Sequence, residues 1–240
     1  MVIEIEGLTC KYGNKSVFEN LNLHVRHHLS ILGGNGAGKS TFAKALCHLI
    51  NFQGSIRLDG QEITSHKSLA KALTYIPPKL DVYEPYISVE EFILLGRYPH
   101  KGPFDDYTKE DHDITLAQIE RLGITHLKEQ KLHSLSSGEQ QLVLTAQALT
   151  QQSKTIIFDE PTANLDPKNA RSIAHTIQKL KAEHRIIVIT HDLRLAAFLN
   201  TPLLFIANQT ATLYEDNELF FNSLSTHYGV AFEGLEVRYD

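Results

Sequence analysis

One stretch limits the fold more than any other. Gly33-Gly34-Asn35-Gly36-Ala37-Gly38-Lys39-Ser40 fits G-x-x-x-x-G-K-[ST] at every fixed position. Leu29-Ser30-Ile31-Leu32 before it reads as a short apolar strand. Lys39 to Leu49 behind it reads as a helix, with Phe42, Leu46 and Leu49 on one face. A strand that turns through glycines straight into a helix is a unit of a parallel α/β sheet. The same unit has a chemical consequence. Glycines let the backbone curl until several N–H groups point at one polyphosphate. The helix adds the positive end of its dipole. Lys39 would reach the β and γ phosphates, Ser40 would ligate Mg²⁺, and Thr41 would bond a phosphate oxygen.

The rest of the chain keeps the alternation of strand and helix. Val2-Ile3-Glu4-Ile5-Glu6 alternates apolar and acidic residues, as a half-buried strand does, and Phe18, Leu21, Leu23 and Val25 continue that style. Ile56–Leu58 runs into Asp59-Gly60, a strand and turn. Leu73–Ile76 is stopped by Pro77-Pro78. Ser88 caps a helix to Gly96, with Glu91 three residues on and Val89, Phe92, Ile93 and Leu95 as its apolar face. Arg97–Tyr107 holds Pro99, Gly102 and Pro103 and reads as a loop. Thr108 caps a helix to Leu122, with Glu110, Asp111 and Asp113 at its start. Further helices are expected at Ser137–Thr150, Pro167–Lys181 and Leu193–Leu199. Buried strands are expected at Thr155–Phe158 and Arg185–Thr190, then Leu203–Ala207 and Thr212–Tyr214. The tail from about Asn217 reads as a small packed extension.

Thr155-Ile156-Ile157-Phe158-Asp159-Glu160 supplies a second chemical element. Its apolar residues bury a strand, and the carboxylates emerge at the C-terminal end, where sites in such sheets lie. Asp159 would hold the metal through water, and Glu160 would act as general base toward the attacking water.

With these two elements in order, the chain resembles the ATP-binding subunit of an ABC transporter. That family carries a signature, usually L-S-G-G-Q, shortly before the acidic strand. This chain has Leu135-Ser136-Ser137-Gly138-Glu139-Gln140-Gln141 there. By resemblance, Ser136, Ser137, Gly138 and Glu139 would grip the γ-phosphate of a nucleotide held by another copy. Asn164-Leu165-Asp166 is similar to the loop that passes signals across the dimer, with Asp166 beside the nucleotide. Ile189-Thr190-His191-Asp192 resembles the switch segment, whose histidine contacts the γ-phosphate and the water. Tyr12 lies where the family stacks an aromatic ring on adenine. The resemblance implies a P-loop NTPase fold of the α/β class: a RecA-like core, an antiparallel β subdomain and a helical subdomain at about 79–150, all within one domain, 1–240. It implies ATP and Mg²⁺ as ligands and two copies arranged head to tail. It also implies transmembrane permease subunits, a substrate-binding protein at one remove, and a place on the cytoplasmic face of the inner membrane.

Three departures matter. Pro78 stands where the family has a glutamine that reaches Mg²⁺ and couples to the membrane subunit. Ser137 replaces the first signature glycine, and Gln140-Gln141 replace the usual basic residue. The loop Val25–Leu29 is shorter than usual. Glu91-Phe92-Ile93-Leu94-Leu95-Gly96-Arg97-Tyr98-Pro99-His100 resembles a stretch in importers of iron–siderophore complexes, haem and cobalamin. Importers of other metals or oxyanions, a degenerate ATP-binding copy, and a non-transport ATPase remain as alternatives.

Composition narrows the classes. The 240 residues are 42% hydrophobic and 21% charged, ordinary values for a chain with a core. The net charge of −5 argues against nucleic acid as the main partner. No apolar run approaches the ~20 residues of a membrane-spanning helix. The acidic start is unlike a secretory leader, and two cysteines build no disulfide framework, which together suit a reducing cytosol. The 13 histidines show no zinc-type spacing and read as ordinary core or surface residues.

Overall fold

The computed structural model describes residues 2–13, 15–62, 65–81, 86–207 and 209–228, with Tyr12 and Lys15 described in backbone only. The chain opens with two long antiparallel strands, β1 (Ile3–Tyr12) and β2 (Lys15–Val25). The alternation expected at the start runs the length of both. Ile3, Ile5, Leu8 and Cys10 are buried on β1, and Phe18, Leu21 and Val25 on β2. Next come β3 (Leu29–Gly33) and α1 (Lys39–Leu46), then β4 (Gln53–Leu58) and β5 (Gln61–Glu62). Asp59 and Gly60, both at positive φ, make the turn between the last two. Helix α2 (His66–Ala72) leads into β6 (Leu73–Ile76).

A helical stretch follows: α3 (Val89–Leu94), a 3₁₀ turn over Leu95–His100, α4 (Lys109–Arg121) and α5 (Ser137–Thr150). The chain then alternates through β7 (Thr155–Asp159), α6 (Pro167–Leu180), β8 (Arg185–Ile189), α7 (Leu193–Leu199) and β9 (Leu203–Ala207). It closes with β10 (Thr210–Tyr214), α8 (Asn217–Asn222) and α9 (Leu224–Tyr228).

Two sheets result. One is antiparallel, in the order β2-β1-β4-β5; the other has six strands, in the order β10-β9-β3-β8-β7-β6. The larger sheet is parallel from β9 to β6, and β10 joins its edge antiparallel. Every residue of β3 and β7 is buried, as expected for strands covered on both faces. Alternation divides them between two cores. Ile156, Phe158, Ile186 and Val188 pack with α3 to α6. Ile31, Ile157, Ile187 and Ile189 pack with α1 and the antiparallel sheet. The tail forms its own small cluster, in which Phe220 and Leu224 bury against Phe205, Ala196 and Leu203.

Two apolar assignments fail at helix ends. The first helix stops at Leu46, because Cys47 leaves the helical region (ψ 3°) and His48 turns left-handed (φ 51°). Leu49 is therefore off the helix and 60% exposed. Leu95 opens the tighter 3₁₀ turn, which rotates the face. It is 42% exposed, and Leu94 takes the buried place. That turn also gives regular structure to Arg97–His100, the first part of what reads as a loop in sequence.

The helical layer is pinned by a buried ion cluster. Asp111 is more than a first-turn acid. Its Oδ1 accepts from Arg97 Nε at 2.9 Å, and its Oδ2 from Lys101 Nζ at 2.7 Å and the Thr108 amide at 2.9 Å. Arg97 also reaches Thr150 O at 3.0 Å and the Gln152 side chain at 2.7 Å. The Arg97 guanidinium thus joins the 3₁₀ turn to α4 and to the end of α5. Burial works to raise the Asp111 pKa, but the Lys101, Arg97 and Thr108 hydrogen bonds bring it well below the ordinary range. We expect Asp111→Asn to lower unfolding stability at neutral pH by about 3 kcal/mol, as removal of one partner of a buried pair does. The depressed folded pKa makes this contribution fully present above the ordinary value of about 3.9, and it fades as pH falls towards the folded value. Urea denaturation of both proteins at neutral and acidic pH measures it.

Candidate functional site

The glycine loop joins β3 to α1 in a geometry only glycines permit. A Cβ on Gly33 would lie 2.4 Å from Ile206 O of the neighbouring strand β9. Gly38 has φ 109°, and a Cβ there would lie 2.6 Å from Val17 Cγ1. Helix α1 has no side-chain cap and no acid in its first turn, so its N-terminal amides and dipole serve the loop. The loop bounds a cavity of ≈ 380 Å³. Asn35, Gly36, Gly38, Lys39, Ser40 and Thr41 line it, with Glu160 from the end of β7 and Val17 from β2. Gly34 O receives the Ala37 amide at 3.2 Å, the tight turn inside the loop. Lys39 is buried, and its Nζ donates to Gly33 O at 2.9 Å and Gly34 O at 3.2 Å. It also stands 3.9 Å from Glu160 Oε1.

Asp159 ends β7 and is buried. Its Oδ2 accepts from the Tyr75 hydroxyl at 2.7 Å, while Oδ1 has no hydrogen-bond partner. Burial raises its pKa, opposed chiefly by the hydroxyls of Tyr75 and Ser40. Glu160, next in the chain, turns left-handed at φ 49°. Such a backbone costs about 1–3 kcal/mol in a non-glycine residue and persists only where its surroundings fix it. Here the Glu160 amide donates to Ile189 O at 2.8 Å, and the Ala163 amide returns to Glu160 O at 3.1 Å. The turn swings the side chain to His191. Glu160 Oε2 accepts from His191 Nδ1 at 2.8 Å and from its amide at 3.2 Å. A carboxylate oxygen only accepts, which places the imidazole proton on Nδ1.

Lys39, Ser40, Asp159, Glu160 and His191 therefore meet at one edge of the parallel sheet. The expected signature residues do not line that cavity. Ser136 caps α5 in a closed box: its amide and hydroxyl donate to Glu139 Oε2 at 2.8 and 2.7 Å. Those bonds lower the Glu139 pKa. Gly138 abuts Asn169 of α6, where a Cβ would lie 2.8 Å from Asn169 Cγ. Asp166 caps α6 through the amides of Lys168 and Asn169, and those bonds, the Asn169 amide's first, hold its pKa down. Tyr12 ends β1, and its side chain lies outside the described residues. Pro78 offers only its carbonyl, which receives Gln141 Nε2 of α5 at 3.1 Å. Sequence reasoning passes over Val17 and Tyr75, and reads Gln141 only as a departure from the signature. Each belongs to a strand or helix whose pattern explains it as packing, and only the distant partner reveals more.

Residues 18–163 match the family described as ABC transporter. The chain belongs to that family. It is an ATP-binding cassette, an ATPase. It is 32% identical over 198 residues to the ferric enterobactin transport ATP-binding protein FepC of Escherichia coli (strain K12), covering 80% of this chain and 73% of that one. It is 30% identical over 211 residues to the achromobactin transport ATP-binding protein CbrD of Dickeya dadantii (strain 3937), covering 85% and 78%. Among solved structures, a metal-chelate type ABC transporter in an inward-facing conformation superposes with a TM-score of 0.83 at 25% identity, over 95% of this chain and 89% of that one. The cassette is thus related to the ATP-binding subunits of iron-siderophore transporters. No helix among its described residues is long and apolar enough to cross a membrane.

The cassette's residues fit a hard divalent cation. The available donors are oxygens, and Asp159 Oδ1 is a buried oxygen with no hydrogen-bond partner. Among the described residues no three metal-ligating side chains cluster. Oxygen donors of this kind suit a Mg²⁺ ion, which keeps waters and takes one or two protein ligands beside phosphate oxygens. The loop geometry also separates two glycines. Gly33→Ala should lose about 1–3 kcal/mol of stability through overpacking. Gly34→Ala, where an added Cβ meets nothing within 4 Å, should keep wild-type stability. Chemical denaturation of the two variants checks this.

Proposed function

We propose that the cassette hydrolyses ATP to drive uptake of an iron chelate, haem or cobalamin through partner permease subunits. The observation that carries the reaction is the contact of Glu160 with His191 at the mouth of the Lys39 loop. The loop amides and Lys39 bind the polyphosphate. Glu160 accepts a proton from the attacking water, and His191, held on Glu160 through Nδ1, would contact the γ-phosphate and that water. Bound through Ser40 and Asp159, Mg²⁺ would supply electrostatic stabilisation of the phosphate charge. Tyr12 would stack on adenine.

Two copies arranged head to tail complete the site in this reading. Ser136, Ser137, Gly138 and Glu139 stand apart from the loop cavity of their own chain, which supports their use by a second copy. Asp166, at the cap of α6 beside the start of α5, would sit at the same interface. The described residues carry both sheets and the helical layer, which supports one domain over 1–240, with the helical subdomain at about 79–150. Permease contact would put the cassette on the cytoplasmic face of the inner membrane, with a substrate-binding protein beyond it. The siderophore-transport relatives support the iron-chelate reading over other cargo.

ATP turnover measured against protein concentration tests the reaction. The expected rate rises faster than linearly, since the site needs two chains. Glu160→Gln should retain ATP binding and lose about 10²–10⁴-fold in turnover, the share of a general base. Wild-type turnover in that variant would remove Glu160 from the role.

A further inference from the structure

The structure places an unassigned side chain on the carboxylate that faces the metal. Strands β6 and β7 pair in parallel with Tyr75 opposite Ile157. Side chains alternate along a strand, so Tyr75, Ile157 and Asp159 share one face of the sheet. Tyr75 and Ile157 accordingly pack in the same core, below α1. A long side chain reaches its diagonal neighbour, and the Tyr75 hydroxyl meets Asp159 Oδ2 at 2.7 Å. The ring is wedged by that core, which leaves the hydroxyl little freedom. One oxygen of the buried carboxylate is thereby fixed and the other, Oδ1, is left without a hydrogen bond. Ser40, the other expected ligand, stands in the first turn of α1, the helix that packs on this same core. Pro78, three residues on from Tyr75, has no side-chain oxygen to bring to the metal.

We infer that Tyr75 is a positioning residue for the divalent cation: its hydroxyl locks the rotation of Asp159 so that Oδ1 is presented beside Ser40. This rests on the reading of the cavity as a Mg-ATP site. Tyr75 touches neither metal nor nucleotide. It acts through Asp159, as outer-shell partners of metal ligands do.

Binding of a fluorescent ATP analogue, titrated with Mg²⁺ and repeated in EDTA, tests the inference. Tyr75→Phe removes only the hydroxyl and keeps the ring in the core. The expected result is a rise of about 10-fold in the Mg²⁺ needed for half-maximal tightening. Affinity in EDTA should stay at the wild-type value, which a merely structural role would not leave untouched. Adding Tyr75→Phe to Asp159→Asn should produce no further rise, because the hydroxyl acts only through that carboxylate. An unchanged Mg²⁺ requirement in Tyr75→Phe, with clear Mg²⁺ tightening in the wild type, overturns the role of Tyr75 and leaves the Mg-ATP site standing. A parallel loss of affinity in EDTA, or an additive effect in the double variant, overturns it in favour of plain packing. A wild type whose nucleotide binding ignores Mg²⁺ overturns both the inference and the site reading beneath it.

Discussion

The register of three parallel strands fixes the site. Strand β8 lies between β3 and β7, with Ile31 opposite Ile189 on one side and Asp159 opposite Ile189 on the other. All three strands are buried almost throughout, so polar chemistry is confined to their C-terminal ends. The glycine loop leaves from β3, the two carboxylates from β7, and the Thr190-His191 segment from β8. The ladder continues one residue past the strands, where the Glu160 amide bonds Ile189 O. That bond is what delivers His191 beside Glu160. A slip of one residue in any pairing would send Asp159 to the opposite face, away from α1.

The helical layer is tied to this edge by different means. Within the layer, Arg97, Lys101 and Asp111 hold the 3₁₀ turn, α4 and the end of α5 together. Between layer and sheet, Gln141 of α5 donates to Pro78 O just beyond β6. The first contact is ionic and buried, and it is lost outright if one partner is removed. The second is a single neutral hydrogen bond to a backbone carbonyl, worth only about 1 kcal/mol. The layer is therefore stiff inside and loosely attached at this point.

What could be read from sequence follows from how local each cause is. The Gly33–Ser40 turn, the box at Ser88 and the cap at Thr108 depend on residues within a few positions of one another, and the structure has all of them. The buried strands were legible because burial on both faces demands unbroken apolar runs. Leu49 and Leu95 were misread because apolar periodicity does not report where a helix stops or tightens. Asp111 fits a first-turn acid so well that its pairing with Arg97 and Lys101, 14 and 10 residues away, left no mark on the pattern. Tyr75 and Asp159 are 84 residues apart, and only strand register joins them. Ser136 and Asp166 show the converse: their capping roles are local and plain, while any duty toward a second copy has no local sign.

The charges at the cavity make a closed arrangement that the proposed substrate would rearrange. Lys39 Nζ rests on two loop carbonyls and lies 3.9 Å from Glu160 Oε1, with both side chains mostly buried. His191 occupies Oε2 of the same carboxylate. An arriving polyphosphate is the stronger acceptor for an ammonium group, and it presents more than one oxygen to the Lys39 Nζ. It would draw Lys39 from Glu160 without breaking the Glu160–His191 bond, because that bond is fixed by the β8 backbone as well as by the ring. The left-handed turn at Glu160, fixed by the bond of its amide to Ile189 O, keeps the carboxylate where that exchange can occur.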